Sequence, residues 1–156
     1  MDKRTSKENY YLDIADAVLQ RSTCLRRMYG AIIVRNDEII STGYNGAPRG
    51  RINCTDAGRC ARVEMKIPSG ERYELCRSVH AEANAITKLA RSSNNSDGAT
   101  LYVTDAPCIE CSKLIIQAGI KRVVYAREYR LSEGIDLLKR AKINVIHLNP
   151  DEYETK

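Results

Sequence analysis

Leu101-Tyr102-Val103-Thr104-Asp105-Ala106-Pro107-Cys108-Ile109-Glu110-Cys111 joins two patterns within one short stretch. Its first part, with Ala99 and Thr100 ahead of it, is a run of β-branched and aromatic residues that reads as a strand. Its second part opens a helix over 107–119. Pro107 stands at the start, where its fixed φ already suits a helix, and Gly119 stands at the end. Downstream, K-R-V-V-Y-A (121–126) predicts a strand, about 132–141 a helix, and I-N-V-I-H-L (143–148) a last strand. Upstream, H-A-E-A-N-A-I-T-K-L-A-R (80–91) predicts a helix rich in Ala and Leu, closed by the polar S-S-N-N-S-D-G (92–98). Strand and helix alternate through this half, which predicts an α/β protein with parallel strands and right-handed crossovers.

The N-terminal half differs. K-E-N-Y-Y-L-D-I-A-D-A-V-L-Q-R-S (7–22) places Tyr11, Ile14 and Val18 at helical spacing, which predicts an amphipathic first helix. G-A-I-I-V-R-N-D-E-I-I-S-T-G-Y-N-G (30–46) reads as two apolar strands turned at Asn36-Asp37, a hairpin. From Asn45 to about Val79 no period is sustained. A connection of that length in a compact domain is usually functional or pinned by something.

The 156 residues suit one domain, 1–156, with a full hydrophobic core. Hydrophobic content of 43% and charged content of 29% are those of an ordinary globular protein. Tyrosine, at nine copies, is the only aromatic, so buried tyrosines need partners for their hydroxyls. No apolar run approaches a membrane span and the N-terminus lacks the apolar stretch of a secretory signal, which predicts a cytoplasmic protein with no membrane partner. Six cysteines in a reducing compartment favour metal ligation over disulfides. A net charge of +5 suits an anionic substrate or simply a solvated basic surface, and is only moderately basic for a nucleic-acid binder.

His80 and Glu82 in H-A-E, with Cys108 and Cys111 in P-C-I-E-C, carry the chemistry. One imidazole and two thiolates are three of the four ligands of a tetrahedral Zn²⁺, and an open fourth position marks a catalytic site. Glu82, two residues beyond the histidine, is no fourth ligand by simple spacing; a carboxylate beside such a site is a proton carrier. Either half alone is weak, since C-x-x-C also serves redox pairs and structural zinc knuckles. Together, in this order, they point to a zinc hydrolase of the kind that deaminates nucleobases. Both motifs fall at helix N-termini, where the dipole favours thiolate and hydroxide.

Ser41 to Pro48 (S-T-G-Y-N-G-A-P), Cys76 to Ile86 (C-R-S-V-H-A-E-A-N-A-I) and Leu101 to Cys111 resemble the deoxycytidylate (dCMP) deaminase family, and are similar to the late-competence operon deaminases of bacteria. The likeness runs roughly from Cys24 to Val145. One departure is Ala83, where the family commonly has Gln. The resemblance implies a cytidine-deaminase-like three-layer α/β/α sandwich with a five-stranded mixed sheet, built into a homohexamer. It implies hydrolysis of dCMP to dUMP and ammonia towards thymidylate, activated by dCTP and inhibited by dTTP. His80, Cys108 and Cys111 then hold the catalytic zinc and Glu82 moves protons. Asn45 of Y-N-G binds substrate, with Asn84 a weaker candidate. Tyr129 resembles the aromatic that closes over the pyrimidine, and Tyr44 and Gly46 fall where regulated members bind an effector. The plain reading of Y-N-G is a turn, and of Tyr129 a surface tyrosine.

Two questions stay open on the residues. The 5′-phosphate needs a cation, and Arg26, Arg27, Arg49 and Arg51 all qualify. Cys24, Cys54, Cys60 and Cys76 make a complete set for a second, structural zinc, or are buried free thiols. Alternative substrates keep the same chemistry: free cytidine, guanine, a riboflavin precursor or adenosine in tRNA. A non-catalytic competence-associated protein with this fold would show a damaged motif, and all four residues are present.

Overall fold

The computed structural model describes residues 4–129 and 131–149. Helix α1 (Lys7–Val18) starts at Ser6, whose hydroxyl accepts the Asn9 amide at 3.2 Å, and it buries Tyr11, Leu12 and Ala15. Strands β1 (Gly30–Arg35) and β2 (Glu38–Tyr44) pair antiparallel from Gly30–Tyr44 to Arg35–Glu38. Asn36 and Asp37 between them have φ of 52° and 61°. Left-handed backbone at both central positions twists with the strands, and Asn and Asp tolerate it best after glycine. The hairpin and its turn fall where the sequence places them.

The long connection after β2 is less irregular than its sequence suggests. It holds two one-turn helices, α2 (Cys54–Ala57) and α3 (Ala61–Glu64), and a 3₁₀ turn at Tyr73–Leu75. Its ends are tied by a bridge between Gly46 and Val79, with N···O distances of 3.1 and 2.7 Å. The Asn53 amide oxygen accepts from Thr23 Oγ1 at 3.0 Å and the Ala47 amide at 3.3 Å. Such short polar pins carry no periodicity, so pattern reading does not find them.

Helix α4 (Ala81–Ala90), strand β3 (Thr100–Asp105), helix α5 (Ile109–Gln117), strand β4 (Arg122–Arg127), helix α6 (Glu133–Arg140) and strand β5 (Asn144–His147) follow in the expected order. The sheet order is β2-β1-β3-β4-β5; β1 is antiparallel to β2 and β3, while β3, β4 and β5 run parallel. The five-stranded mixed sheet expected from the resemblance is present. Strand residues alternate between two cores. Ala31, Ile33, Leu101, Val103 and Val123 face α4, α5 and α6, whereas Ile32, Val34, Tyr102 and Val124 face α1. The layers are therefore α/β/α. Buried tyrosines find partners: Tyr11 donates to Asp37 Oδ1 at 2.5 Å and Tyr102 to Glu8 Oε1 at 2.9 Å.

Gly43 on β2 fixes how closely α4 lies on the sheet. A Cβ there would stand 2.3 Å from the Ala81 carbonyl oxygen and 2.5 Å from the Ala85 nitrogen, backbone atoms that cannot swing aside. Gly43→Ala is expected to destabilise the fold by about 1–3 kcal/mol, the usual range for overpacking. A denaturation midpoint equal to wild type would show that α4 can lift without penalty.

Candidate active site

α4 and α5 begin side by side, and the three donor atoms come from their first turns. His80 is the N-cap of α4, with φ −66° and ψ 155°, and Glu82 is in its first turn. Cys108 is the N-cap of α5 and Cys111 lies one turn on. His80 Nδ1 is 3.5 Å from Cys108 Sγ and 3.4 Å from Cys111 Sγ. All three atoms lie within 4.8 Å of one another, and no other such cluster occurs among the described residues.

That triangle can be tested against a zinc ion. Zn–N near 2.0–2.1 Å and Zn–S near 2.3 Å, at a tetrahedral angle, put N and S about 3.5 Å apart. The two N···S distances match, and a nitrogen with two sulfurs suits Zn²⁺ by softness. The fourth apex is left without a protein ligand in this set.

Burial sets the electrostatics. Glu82 is only 6% exposed, and burial pushes its carboxyl up to about 7, against the pull of His80. Cys108 is held well below the usual thiol range by the hydrogen bond from Cys111 and, against burial, by His80. Cys111, the donor of that bond and itself buried, moves upward. Burial opposes a charge on His80, but Cys108 and Glu82 outweigh it and raise its pKa.

The site opens into a cleft whose far wall is the 22–29 segment and the long connection. Asn45 lines it, though most of its amide is already engaged. Its Oδ1 accepts from Ser22 Oγ at 2.6 Å and the Tyr29 amide at 2.9 Å, while Nδ2 donates to the Arg27 carbonyl at 2.9 Å. One N–H remains for a ligand. Asn84 turns its amide nitrogen to the fold, donating to the Tyr44 and Val79 carbonyls at 2.7 and 3.3 Å. Tyr129 lines the cleft and pairs with the Tyr73 hydroxyl. Tyr44 and Gly46 are not among the lining residues.

Of the four candidate arginines, Arg26 and Arg27 line the cleft and the exposed Arg49 and Arg51 do not. The structure adds two that pattern reading passed over. Arg62 is buried, stacked 4.6 Å over the Tyr73 ring, and Arg77 lines the cleft three residues before His80. Tyr73 itself was also missed, since one tyrosine in an aperiodic loop gives no signal.

Cys24, Cys54, Cys60 and Cys76 border the same cleft and are all free thiols. They are not drawn to a common point. Cys54 Sγ lies 4.0 Å from Ser78 Oγ, and Cys24 Sγ accepts the Arg26 amide at 3.4 Å. Cys24 and Cys54 lie near enough to Cys76 to add to the upward push that burial gives its thiol.

Against known proteins, a family model described as the cytidine and deoxycytidylate deaminase zinc-binding region matches residues 5–127. The chain is 37% identical to the deoxycytidylate deaminase of Schizosaccharomyces pombe over 96% of its own length and 46% of that protein's. It thus spans about half the length of the yeast relatives it matches. To ComE operon protein 2 of Bacillus subtilis it is 38% identical over 96% of this chain and 75% of that one. The crystal structure of the dCMP deaminase from cyanophage S-TIM5, in complex with dCMP and dUMP, superimposes with a TM-score of 0.77 at 36% identity, covering 93% of this chain and 100% of that one. A match that spans both ligand-bearing helices and the sheet that aligns them places this chain in the cytidine and deoxycytidylate deaminase family.

Proposed function

We propose that this protein hydrolyses dCMP to dUMP and ammonia, a step that feeds thymidylate synthesis. The observation that carries the reading is the triangle of His80 Nδ1, Cys108 Sγ and Cys111 Sγ beside the buried Glu82. Zinc held by those three residues would supply a water activated for attack near neutral pH. In the reaction a C4–O bond forms, the C4–N bond breaks and the amine leaves as ammonia. Glu82, whose pKa burial raises, accepts one proton of the attacking water and places it on ring N3. It then carries the proton of the new C4 hydroxyl to the departing amine as the C4 carbonyl forms. One carboxylate serves every stage because it is buried beside the ligands rather than on the surface.

Support for an anionic substrate comes from the cleft, whose lining includes Arg26, Arg27, Arg62 and Arg77 against Glu82 and Asp105. The cyanophage relative, similar over all of its own length, holds dCMP and dUMP. The free N–H of Asn45 is a donor for the sugar or base edge, and Tyr129 stacks on the pyrimidine. Tyr44 and Gly46, outside the cleft, suit a separate site for dCTP or dTTP. Exposed Ile52, Val63 and Met65 on the long connection are apolar side chains that a homohexamer could cover. One domain carries the whole site, and six free cysteines fit a cytoplasmic enzyme. A second zinc on Cys24, Cys54, Cys60 and Cys76 rests on four free thiols around one cleft, which the ion would have to draw together.

An alternative keeps the chemistry and changes the substrate to an unphosphorylated nucleoside or another nucleobase. A competence-associated role has support in the similarity to ComE operon protein 2. An intact set of His80, Glu82, Cys108 and Cys111 weighs for catalysis.

Glu82→Gln is expected to retain its metal and lose at least about a hundredfold in kcat; undiminished turnover would remove Glu82 from the reaction. Turnover of dCMP should exceed that of deoxycytidine, and equal rates for the two would mean that no residue of the cleft reads the phosphate. Elemental analysis of purified protein is expected to give two zinc ions per chain, falling to one in Cys54→Ser. One zinc in the wild type rejects the second site.

A further inference from the structure

Arg72 adopts φ 52°, a left-handed backbone that arginine does not favour, and the next residue begins the 3₁₀ turn Tyr73–Leu75. Strain of this kind persists where the surroundings over-determine a conformation, and here it aims Tyr73 into the cleft. The ring then makes three contacts. The guanidinium of buried Arg62, whose Nη2 donates to the Pro68 carbonyl at 3.2 Å, stacks on it at 4.6 Å. Its edge-on contact with the His80 imidazole has centroids 4.9 Å apart and an interplanar angle of 84°. Its hydroxyl hydrogen-bonds the hydroxyl of Tyr129, a residue distant in sequence, just after β4.

We infer that Tyr73 is a positioning residue for this site: its ring seats the His80 imidazole, and its hydroxyl latches Tyr129 across the cleft. A perpendicular ring restricts rotation of the imidazole about its Cβ–Cγ bond, so Nδ1 stays turned towards the two sulfurs. Arg62 holds Tyr73 through a stacking contact with its ring, which anchors the seat in α3 rather than leaving it a lone contact. Outer partners of this kind commonly govern how tightly a metal is kept. The latch fixes Tyr129 where a flat ring would enter the cleft. Only this second part rests on the proposed nucleotide substrate.

The two parts separate by substitution. Tyr73→Phe keeps the ring and removes the hydroxyl; Tyr73→Leu removes both, and circular dichroism checks that each folds. For the latch, Tyr73→Phe and Tyr129→Phe should each raise KM for dCMP about three- to tenfold, with kcat changing less, and the double variant should add little. KM effects that multiply, or neither variant changing KM, would overturn the latch. For the seat, zinc release to a chromogenic chelator should be at least about tenfold faster in Tyr73→Leu than in wild type, and close to wild type in Tyr73→Phe. Release from Tyr73→Leu within twofold of wild type would overturn the seat. The chelator measurement needs no substrate, so it stands even if dCMP is not turned over.

Discussion

One nitrogen and two sulfurs, supplied by the first turns of two helices, must meet inside a 4.8 Å triangle, and the fold is arranged around that demand. Metal ligation tolerates errors of only about 0.2 Å, so α4 and α5 need backbone-level control of their positions. Glycine supplies it at two places. Gly43 lets β2 lie against the Ala81 carbonyl at the start of α4. Gly134, in α6, would place a Cβ 2.3 Å from the Pro107 carbonyl oxygen and 2.9 Å from the Cys108 carbonyl carbon. The helix start that carries two of the ligands is thus held from behind by a contact only a glycine permits. α5 follows β3 directly, so its start is fixed at the C-terminal end of a strand paired on both sides.

The opposite wall of the cleft is built on different physics. Exposed Ile52, Val63 and Met65 show that the connection from Asn45 to Val79 turns apolar side chains outward. Asparagines hold it instead: Asn45 ties 22–29 to β2, Asn53 ties Thr23 to Ala47, and Asn84 of α4 ties the two ends where they cross at Gly46 and Val79. Each such bond contributes a modest net stability, about 0.5–1.5 kcal/mol, while a buried amide left without partners would be penalised more heavily. A wall of this type opens locally more readily than the sheet does. That is a useful property beside a cleft that the proposed nucleotide substrate has to enter.

The parts of the molecule with a period were legible in the sequence. Strand alternation at Ala31–Val34 and Leu101–Val103 sorts residues onto two faces, and both cores follow it. Asn36-Asp37 marks the hairpin turn and Gly119 the end of α5, because left-handed backbone suits those residues. Pro107 stands ahead of the N-cap Cys108, not at the first helical position that the sequence suggested. The metal triangle was legible because ligand chemistry demands those residue types at helix starts. The cleft wall was not. Arg62 and Tyr73 meet through a fold-back of the chain whose geometry depends on polar pins and on Arg72 in a left-handed conformation. Choosing among arginines likewise needed coordinates: Arg27 and Arg49 look alike as letters, and only one borders the cleft.

The spacing of histidine and glutamate in H-A-E follows from where the helix begins. If both residues were helical, side chains two positions apart would diverge by about 200° and could not serve one site. His80 is instead the N-cap, with extended backbone, so its imidazole is aimed independently of the turn that carries Glu82. Glu82 is then buried beside the ligands without being one of them. Burial and the neighbouring Cys108 raise its carboxyl towards neutrality, whereas His80 pulls the other way. A dication among the same donors would add a second, stronger downward pull. Glu82 thus stands between opposing influences, burial and Cys108 raising its pKa and His80 and a bound dication lowering it. An exposed carboxylate would be fixed in its ionised form, and one buried without charged neighbours would be fixed as the acid.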